Sequence, residues 1–224
     1  MALTDEAINK IKGMVTSGEL GPGDRLPKEA DLAERLGLSR NSLREAVKAL
    51  SLIKILDVRQ GDGTYVTSLA PNLLLESLSF VVDFHRDDTV LEFMEVRRIL
   101  EPAAAALAAE RMTAEQLTGL RKVLGDLGPD PSVEALVAND LEFHRLIAEG
   151  AGNSVLCSLI DGLSGPTVRA RVWRGLTQDG AVDRTREQHQ TIVEAIEGRN
   201  ADLARSWTTV HIAGVEDWLR RALR

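Results

Sequence analysis

The sequence predicts a mainly α-helical protein in two parts, an N-terminal helix-turn-helix with a β-hairpin wing and a C-terminal all-α bundle of six or seven helices. Three observations predict it. Alanine and leucine are plentiful, aromatic residues make up only 4% of the chain, and Gly and Pro together number 25 of 224 residues, a balance that favours helices over sandwiches and barrels. β-Branched residues flank one glycine-containing tetrapeptide early in the chain, and beyond about residue 73 the apolar residues recur only with helical periodicity.

The elements follow in order. Ile8, Ile11 and Val15 lie on one face of a first helix, which the stretch from Gly18 to Gly23 ends. Pro27 suits the first turn of a second helix that buries Leu32, Ala33 and Leu36 and stops at Gly37. Ser39 offers an N-cap oxygen to a third helix, whose inner face is Leu43, Ala46, Val47 and Leu50. Two short helices joined by a glycine turn form the helix-turn-helix pattern. Ile55 to Val66, turning at Gln60-Gly61-Asp62-Gly63, forms the hairpin. The pattern lapses around Ser68 to Asn72, so the boundaries are residues 1–68 for a DNA-binding domain, 69–74 for a linker and 75–224 for the bundle. Its helices are expected over about 73–85, 89–111, 113–125, 132–149, 153–176, 182–197 and 200–222, with the alanine-rich stretch Pro102–Ala109 as a tightly packed helix.

Composition excludes several classes. With 44% hydrophobic residues the chain can bury a core, which rules out disorder; its longest apolar stretch, Ala103–Ala109, is far too short to span a bilayer, and Asp5 and Glu6 replace the basic start of a secretion signal. A single cysteine, Cys157, allows no intrachain disulfide or thiolate cluster. A cytoplasmic protein with no membrane association is the expectation. The net charge of −7 is unevenly placed: residues 1–70 carry ten basic and ten acidic side chains, the rest seventeen and twenty-four. Within residues 35–59, Arg35, Arg40, Arg44, Lys48, Lys54 and Arg59 face only Glu45 and Asp57, a patch suited to a phosphate backbone.

On the third helix Arg40, Asn41, Arg44 and Lys48 are left facing outward, with 40, 44 and 48 spaced by four. Taken alone, that is an ordinary solvated face. Its place on the second helix of the motif, its two arginines able to fork to guanine and the hairpin behind it point to double-stranded DNA, with Arg59, Gln60 and Gly61 at the wing reaching phosphate or the minor groove. The stretch from Gly23-Asp24-Arg25-Leu26-Pro27 through Leu36-Gly37-Leu38-Ser39-Arg40-Asn41-Ser42-Leu43-Arg44-Glu45-Ala46, with Arg59-Gln60-Gly61-Asp62-Gly63-Thr64-Tyr65-Val66, resembles the winged helix-turn-helix of GntR-family bacterial transcription regulators. That resemblance implies base or phosphate contacts for Arg40 and Arg44 and a minor-groove position for Gly61. Ala30 and Lys54 depart from the family pattern, Lys54 standing where many members have a helix-ending glycine.

Three of the four histidines fall in predicted bundle helices. Asp140 precedes His144 by four residues, His189 lies on the side of Ile192, Val193 and Ile196, and His211 sits between Trp207 and Val215–Trp218. One inward histidine is commonly a hydrogen-bonded core residue. Three from three helices beside a carboxylate are costly to bury without a shared partner, and a divalent cation binding neutral imidazoles and carboxylate resolves that cost. The pieces Glu95-Val96-Arg97-Arg98-Ile99-Leu100-Glu101-Pro102, Asn139-Asp140-Leu141-Glu142-Phe143-His144, Gly152-Asn153, His189 with Ile192, and His211-Ile212 resemble the FCD effector-binding domain of the FadR subfamily. The resemblance implies Asp140, His144, His189 and His211 as ligands of a divalent metal ion, zinc first, with nickel, manganese or iron as alternatives, and Arg97 as a cavity arginine for a carboxylate. Arg97 alternatively forms a structural salt bridge to Glu101 or Glu142. Arg169, Arg171 and Arg174 either line the same cavity or face solvent, with Arg171 and Arg174 taken as further effector candidates, and His85 is assigned nothing.

The reading is a metabolite-responsive regulator, expected to be a repressor, that binds operator DNA as a homodimer under control of a small carboxylate or sugar acid. Two alternatives stay open: a metal-dependent hydrolase with Glu142 or Glu187 as base, and a metal sensor.

Overall fold

A computed structural model of the protein describes residues 3–70, 73, 88–128, 131–178 and 180–224. The chain divides into two compact units, 1–77 and 78–224. The expected helix over 73–85, and His85 with it, lies outside the described residues apart from Leu73.

The first unit contains α1 (Leu3–Thr16), α2 (Glu29–Leu36), α3 (Arg40–Leu52), β1 (Leu56–Arg59) and β2 (Gly63–Val66). Ala7, Ile11 and Met14 of α1 meet Leu32 and Ala33 of α2, the buried stripe Leu43, Ala46, Val47 and Leu50 of α3, and Leu56 and Val66 of the hairpin. Gly37, left-handed at φ 64°, ends α2, and the Ser39 hydroxyl accepts the Ser42 amide at 3.0 Å to start α3. The turn is therefore built as its residue types demand. Pro27 lies two residues ahead of the helix rather than in its first turn, because Lys28 is the N-cap. The antiparallel strands pair from Leu56↔Val66 to Arg59↔Gly63, leaving Gln60, Gly61 and Asp62 as the loop, with Gly61 at φ 79°. Sequence periodicity gave no hint of a third short partner: the Leu26 amide donates to the Thr64 carbonyl at 2.8 Å, and the Val66 amide to that of Asp24 at 2.9 Å. Lys54, at φ 58°, closes α3 in the left-handed conformation that glycine adopts without strain.

The second unit contains α4 (Asp88–Arg111), α5 (Ala114–Asp126), α6 (Val133–Gly150), α7 (Ser154–Thr177), α8 (Ala181–Glu197) and α9 (Ala201–Ala222). Among the described residues, four helix starts are made by side-chain capping: Thr113 and Gln116 form a capping box for α5, and Ser132, Asn153 and Asn200 cap α6, α7 and α9, whereas Gly180 gives α8 no side-chain cap. α4 is the central helix. Its small buried residues Ala105, Ala108 and Ala109 let it approach Phe143 and Ile147 of α6, Ile192, Val193 and Ile196 of α8, and Ala204 of α9. Ala104 packs against Ala148 of α6 and Ile160 of α7. The alanines thus bring the inner faces of three other helices close enough for short side chains to meet between them.

Candidate metal centre and nucleic-acid interface

Asp140 and His144 are both buried on one face of α6. His189 belongs to the α8 stripe of Thr185, Ile192, Val193 and Ile196, and His211 to the α9 stripe of Thr208, Ile212 and Val215. Trp207, expected beside His211, is instead 36% exposed, since the buried stripe of α9 runs through Ala204, Thr208 and His211 and leaves Trp207 at its edge.

One ligand atom from each of the four lies within 4.8 Å of the others. Asp140 Oδ1 is the hub, 3.3 Å from His189 Nε2, 3.6 Å from His144 Nε2 and 4.0 Å from His211 Nε2, while the Nε2 atoms of His144 and His211 are 3.3 Å apart. The far sides of the rings are held separately. His144 Nδ1 lies 2.6 Å from Glu101 Oε2, and His211 Nδ1 lies 3.0 Å from Gln188 Oε1. His189 stacks on Phe143, centroids 3.8 Å apart and planes within 9°. Arg97 Nε donates to the other oxygen of Glu101, and its Nη1 to Thr167 Oγ1 at 3.2 Å. Of the two salt bridges open to Arg97 in the sequence, the one to Glu101 forms; Glu142 pairs with Arg145.

Burial pushes the Asp140 carboxyl up, but the Arg171 guanidinium, its Nη1 at 2.9 Å from Oδ2, and then His144 outweigh that and hold it well below the usual carboxylate range. Burial likewise acts against the Glu101 carboxylate and is overcome by Arg97 and His144. Burial pulls His144 down, yet Glu101 and Asp140 raise it overall. His189 is lowered by burial, and His211 well lowered by burial and by its histidine neighbours. Two imidazoles are thus kept neutral beside an ionised carboxylate. His189 Nε2 is buried with no hydrogen-bond partner. Unprotonated nitrogens facing one carboxylate oxygen repel it unless a cation lies among them, so this donor set fits a divalent ion.

Against Asp140 and His211 opens a cavity of about 30 Å³, lined also by Arg97, Val137, Arg171 and Arg174. Arg171 is buried, lowered to about 10 by that burial and by neighbouring Arg97, and its Nη1 and Nη2 make no hydrogen bond. Arg174 is buried and donates to Gln178 Oε1 at 2.7 Å. The side chain of Arg169 lies outside the described set. Sequence reasoning did not select Gln188 at all and treated Glu101 only as a partner for Arg97.

In the first unit Arg40, Asn41, Arg44 and Lys48 are exposed on α3. Arg44 Nη2 contacts Glu29 Oε2 at 3.0 Å and Lys48 Nζ contacts Glu45 at 2.8 Å, surface pairs that phosphates can displace. Arg59 lies 4.2 Å from the Tyr65 ring centre and 2.9 Å from Asp57, with Gln60 and Gly61 exposed at the tip. Arg35 is exposed at the end of α2 and paired with Glu19. Arg25, not selected from the sequence, donates to the Asp62 carbonyl and packs where a Cβ on Gly63 would be, bracing the wing.

A winged head with a basic recognition-helix face, in one chain with a helical bundle enclosing a histidine–aspartate cluster, defines a ligand-responsive transcription regulator. Residues 3–66 match the gntR family of bacterial regulatory proteins and residues 92–214 the FCD domain. The chain is 32% identical over 212 residues to the HTH-type transcriptional regulator LutR of Bacillus subtilis, covering 92% of this chain and 96% of that one. It is 27% identical over 216 residues to the galactonate operon transcriptional repressor of Escherichia coli, covering 94% and 93%. A solved structure, Streptococcus agalactiae GntR, superposes with a TM-score of 0.72 at 28% identity, covering 96% of this chain and 99% of that one. The chain belongs to the GntR family of transcription regulators, with an FCD domain as its second part. The hydrolase alternative finds no support: these relatives are regulators, Glu142 is engaged by Arg145 at 2.6 and 2.7 Å, and Glu187 is exposed. Among the described residues, no helix is long and apolar enough to cross a membrane.

Proposed function

We propose that this regulator is a repressor that binds a two-fold symmetric operator as a homodimer and is released by a small hydroxy or sugar acid bound at the cluster of Asp140, His144, His189 and His211. The observation that carries the reading is the juxtaposition, at one cavity lined by Asp140 and His211 of that cluster, of the four residues with the buried guanidinium of Arg171, whose Nη1 pairs with Asp140 Oδ2 at 2.9 Å and whose Nη2 makes no hydrogen bond. Asp140 and the three imidazoles would hold the divalent ion, which supplies a Lewis-acidic attraction for carboxylate and hydroxyl oxygens when bound. Arg171, and Arg174 beside it, attract the acid's negative group, and a guanidinium fork suits a carboxylate. Arg97, committed to Glu101 and Thr167, contributes its charge to the wall. The name of the galactonate repressor supports a polyhydroxy acid.

A cavity of about 30 Å³ has room for about two waters, so an acid of several carbons must move a wall to enter. Arg174, whose side-chain hydrogen bond goes to Gln178 at the end of its own helix α7, is the wall residue assigned to move. Its displacement reshapes the end of α7, and an acid that binds only this altered state lowers the population that holds DNA. In the head, Arg40 and Arg44 read base edges, Asn41, Lys48, Arg59 and Gln60 hold the backbone, Gly61 enters the minor groove, and Arg35 adds charge at the flank.

The test is fluorescence anisotropy on the protein's own upstream DNA, with light scattering for the dimer, while zinc-loaded protein is titrated with galactonate, lactate and dicarboxylates. Release of the DNA by a hydroxy acid, lost when the metal is stripped, supports the reading; equal response of stripped and loaded protein defeats it.

A further inference from the structure

We propose that Glu101 is the positioning residue of the centre: one buried carboxylate fixes the tautomer and ring orientation of His144 and ties that ring to Arg97, with Gln188 doing the same for His211. The inference rests on the reading of the four residues as a divalent-metal site and goes beyond their identity as ligands.

Glu101 is placed for more than a helix-stabilising ion pair. Arg97 and Glu101 are four residues apart on α4, 1% and 3% exposed, and one oxygen satisfies that pair. Burying a carboxylate for this purpose alone is poor value, since an apolar pair of the same volume packs as well without the desolvation cost. The second oxygen is buried with no other polar partner among the described residues and lies 2.6 Å from His144 Nδ1, on a different helix, as a charge contact. A carboxylate only accepts, so the hydrogen in that contact belongs to Nδ1, and Nε2 is left to face Asp140 and His211 with its lone pair. Gln188 Oε1, 3.0 Å from His211 Nδ1, is placed to accept from the same tautomer there, although its amide, unlike a carboxylate, also carries a donor. His189 is oriented by other means, the stack on Phe143, and its Nε2 is the one left without a hydrogen bond. Each imidazole is therefore aimed inward by a different device.

The isosteric variant Glu101→Gln exposes the role. An amide offers one acceptor and one donor group where the carboxylate offers two acceptors. If its oxygen stays on Arg97, its NH₂ faces His144 Nδ1, which must give up its proton, and the proton moves to Nε2 inside the centre. If its oxygen stays on His144, its NH₂ abuts the Arg97 guanidinium and the link to Arg97 is lost.

The experiment measures zinc affinity by competition with a chromophoric chelator for full-length wild type, Glu101→Gln and Gln188→Met, together with imidazole ¹⁵N shifts of the zinc-loaded wild type. Expected are a loss of about 10–100-fold for Glu101→Gln, a smaller loss for Gln188→Met, and a wild-type His144 bound through Nε2 with its proton on Nδ1. Variants that bind zinc within twofold of wild type overturn the inference. Should Glu101→Gln fail to fold, the wild-type spectrum still decides, because His144 bound through Nδ1 overturns the proposal. A wild type that binds no zinc at all defeats the metal reading itself, a result distinct from either.

Discussion

Asp140→Asn probes the centre most directly, because the side chain keeps its shape and loses only its charge. Asp140 and Arg171 are each about 8% exposed and meet at 2.9 Å. Removing one partner of such a buried pair costs about 3–5 kcal/mol, chiefly because the other charge is left without compensation. Arg171 has no hydrogen bond of its own to fall back on at Nη1 or Nη2, while asparagine keeps a carbonyl that can face it, so the lower end, about 3 kcal/mol, is expected. For a chain of this size about 1 kcal/mol moves Tm by roughly 2–4 °C, which predicts a drop of roughly 6–12 °C in metal-free protein. Urea denaturation followed by circular dichroism in the presence of a chelator measures it. Asp140→Asn combined with Arg171→Met should recover more than half of the loss, since the stranded cation is then gone. A single-variant loss below about 1 kcal/mol, or no recovery in the double variant, would show that water reaches the pair and that the electrostatics argued for the cluster are wrong.

Other outcomes are expected elsewhere. Arg44→Ala should weaken specific operator binding by about 1–3 kcal/mol with the fold intact, whereas Lys48→Ala should weaken all sequences alike and lower the salt slope by about one; unchanged footprints for Arg40→Ala with Arg44→Ala would remove α3 from the groove. Lys54→Gly relieves a left-handed φ of 58° and should raise the stability of the head by up to about 1 kcal/mol, read from its denaturation midpoint; destabilisation would mean the lysine side chain is doing something the backbone does not reveal. In metal-free protein, burial keeps His189 and His211 from taking up the protons that the unfolded chain accepts below about pH 6.5, so stability should fall as the pH drops through that value, by at most about 2.7 kcal/mol per pH unit. His144 is raised instead, so its contribution is lost as the pH rises above the same value, and the optimum should lie near pH 6.5; a flat profile between pH 5 and 8 would contradict the buried-neutral assignment.

The described bundle helices were readable to within a residue or so because their ends are written in side chains: Thr113 with Gln116, Ser132, Asn153 and Asn200 each satisfy amides next to them in sequence. The four candidate ligands were readable because histidine is scarce in this chain and three of its four copies sit on apolar faces. What surrounds them was not. Periodicity assigns Arg97 a side of α4 but not a rotamer, so Glu101 and Glu142 were equal partners for it until the helices were in place. Gln188 lies one position from His189 yet serves His211, on another helix, a relation no spacing encodes. The pairing of Gly23–Leu26 with β2 is too short to alternate, and Trp207, exposed although Ala204 and Thr208 on either side of it in sequence are buried, shows that an i−4 spacing can fall at the edge of a buried stripe.

All four candidate ligands are at most 8% exposed, drawn from three helices that share one core. A cation enclosed there would leave only when a wall moves, whether the Arg171 and Arg174 side of the cavity or α6, α8 and α9 parting, an opening whose rarity is set by the local stability of the bundle. Its residence is then governed by the clock of local unfolding and not by ligand affinity alone. Since sites of imidazole and carboxylate rank first-row ions by a general order and not by need, the ion such a protein carries would record which metal was available when the chain folded. Metal identity would be inherited from the moment of synthesis, and later swings in cellular supply would leave an already folded regulator untouched.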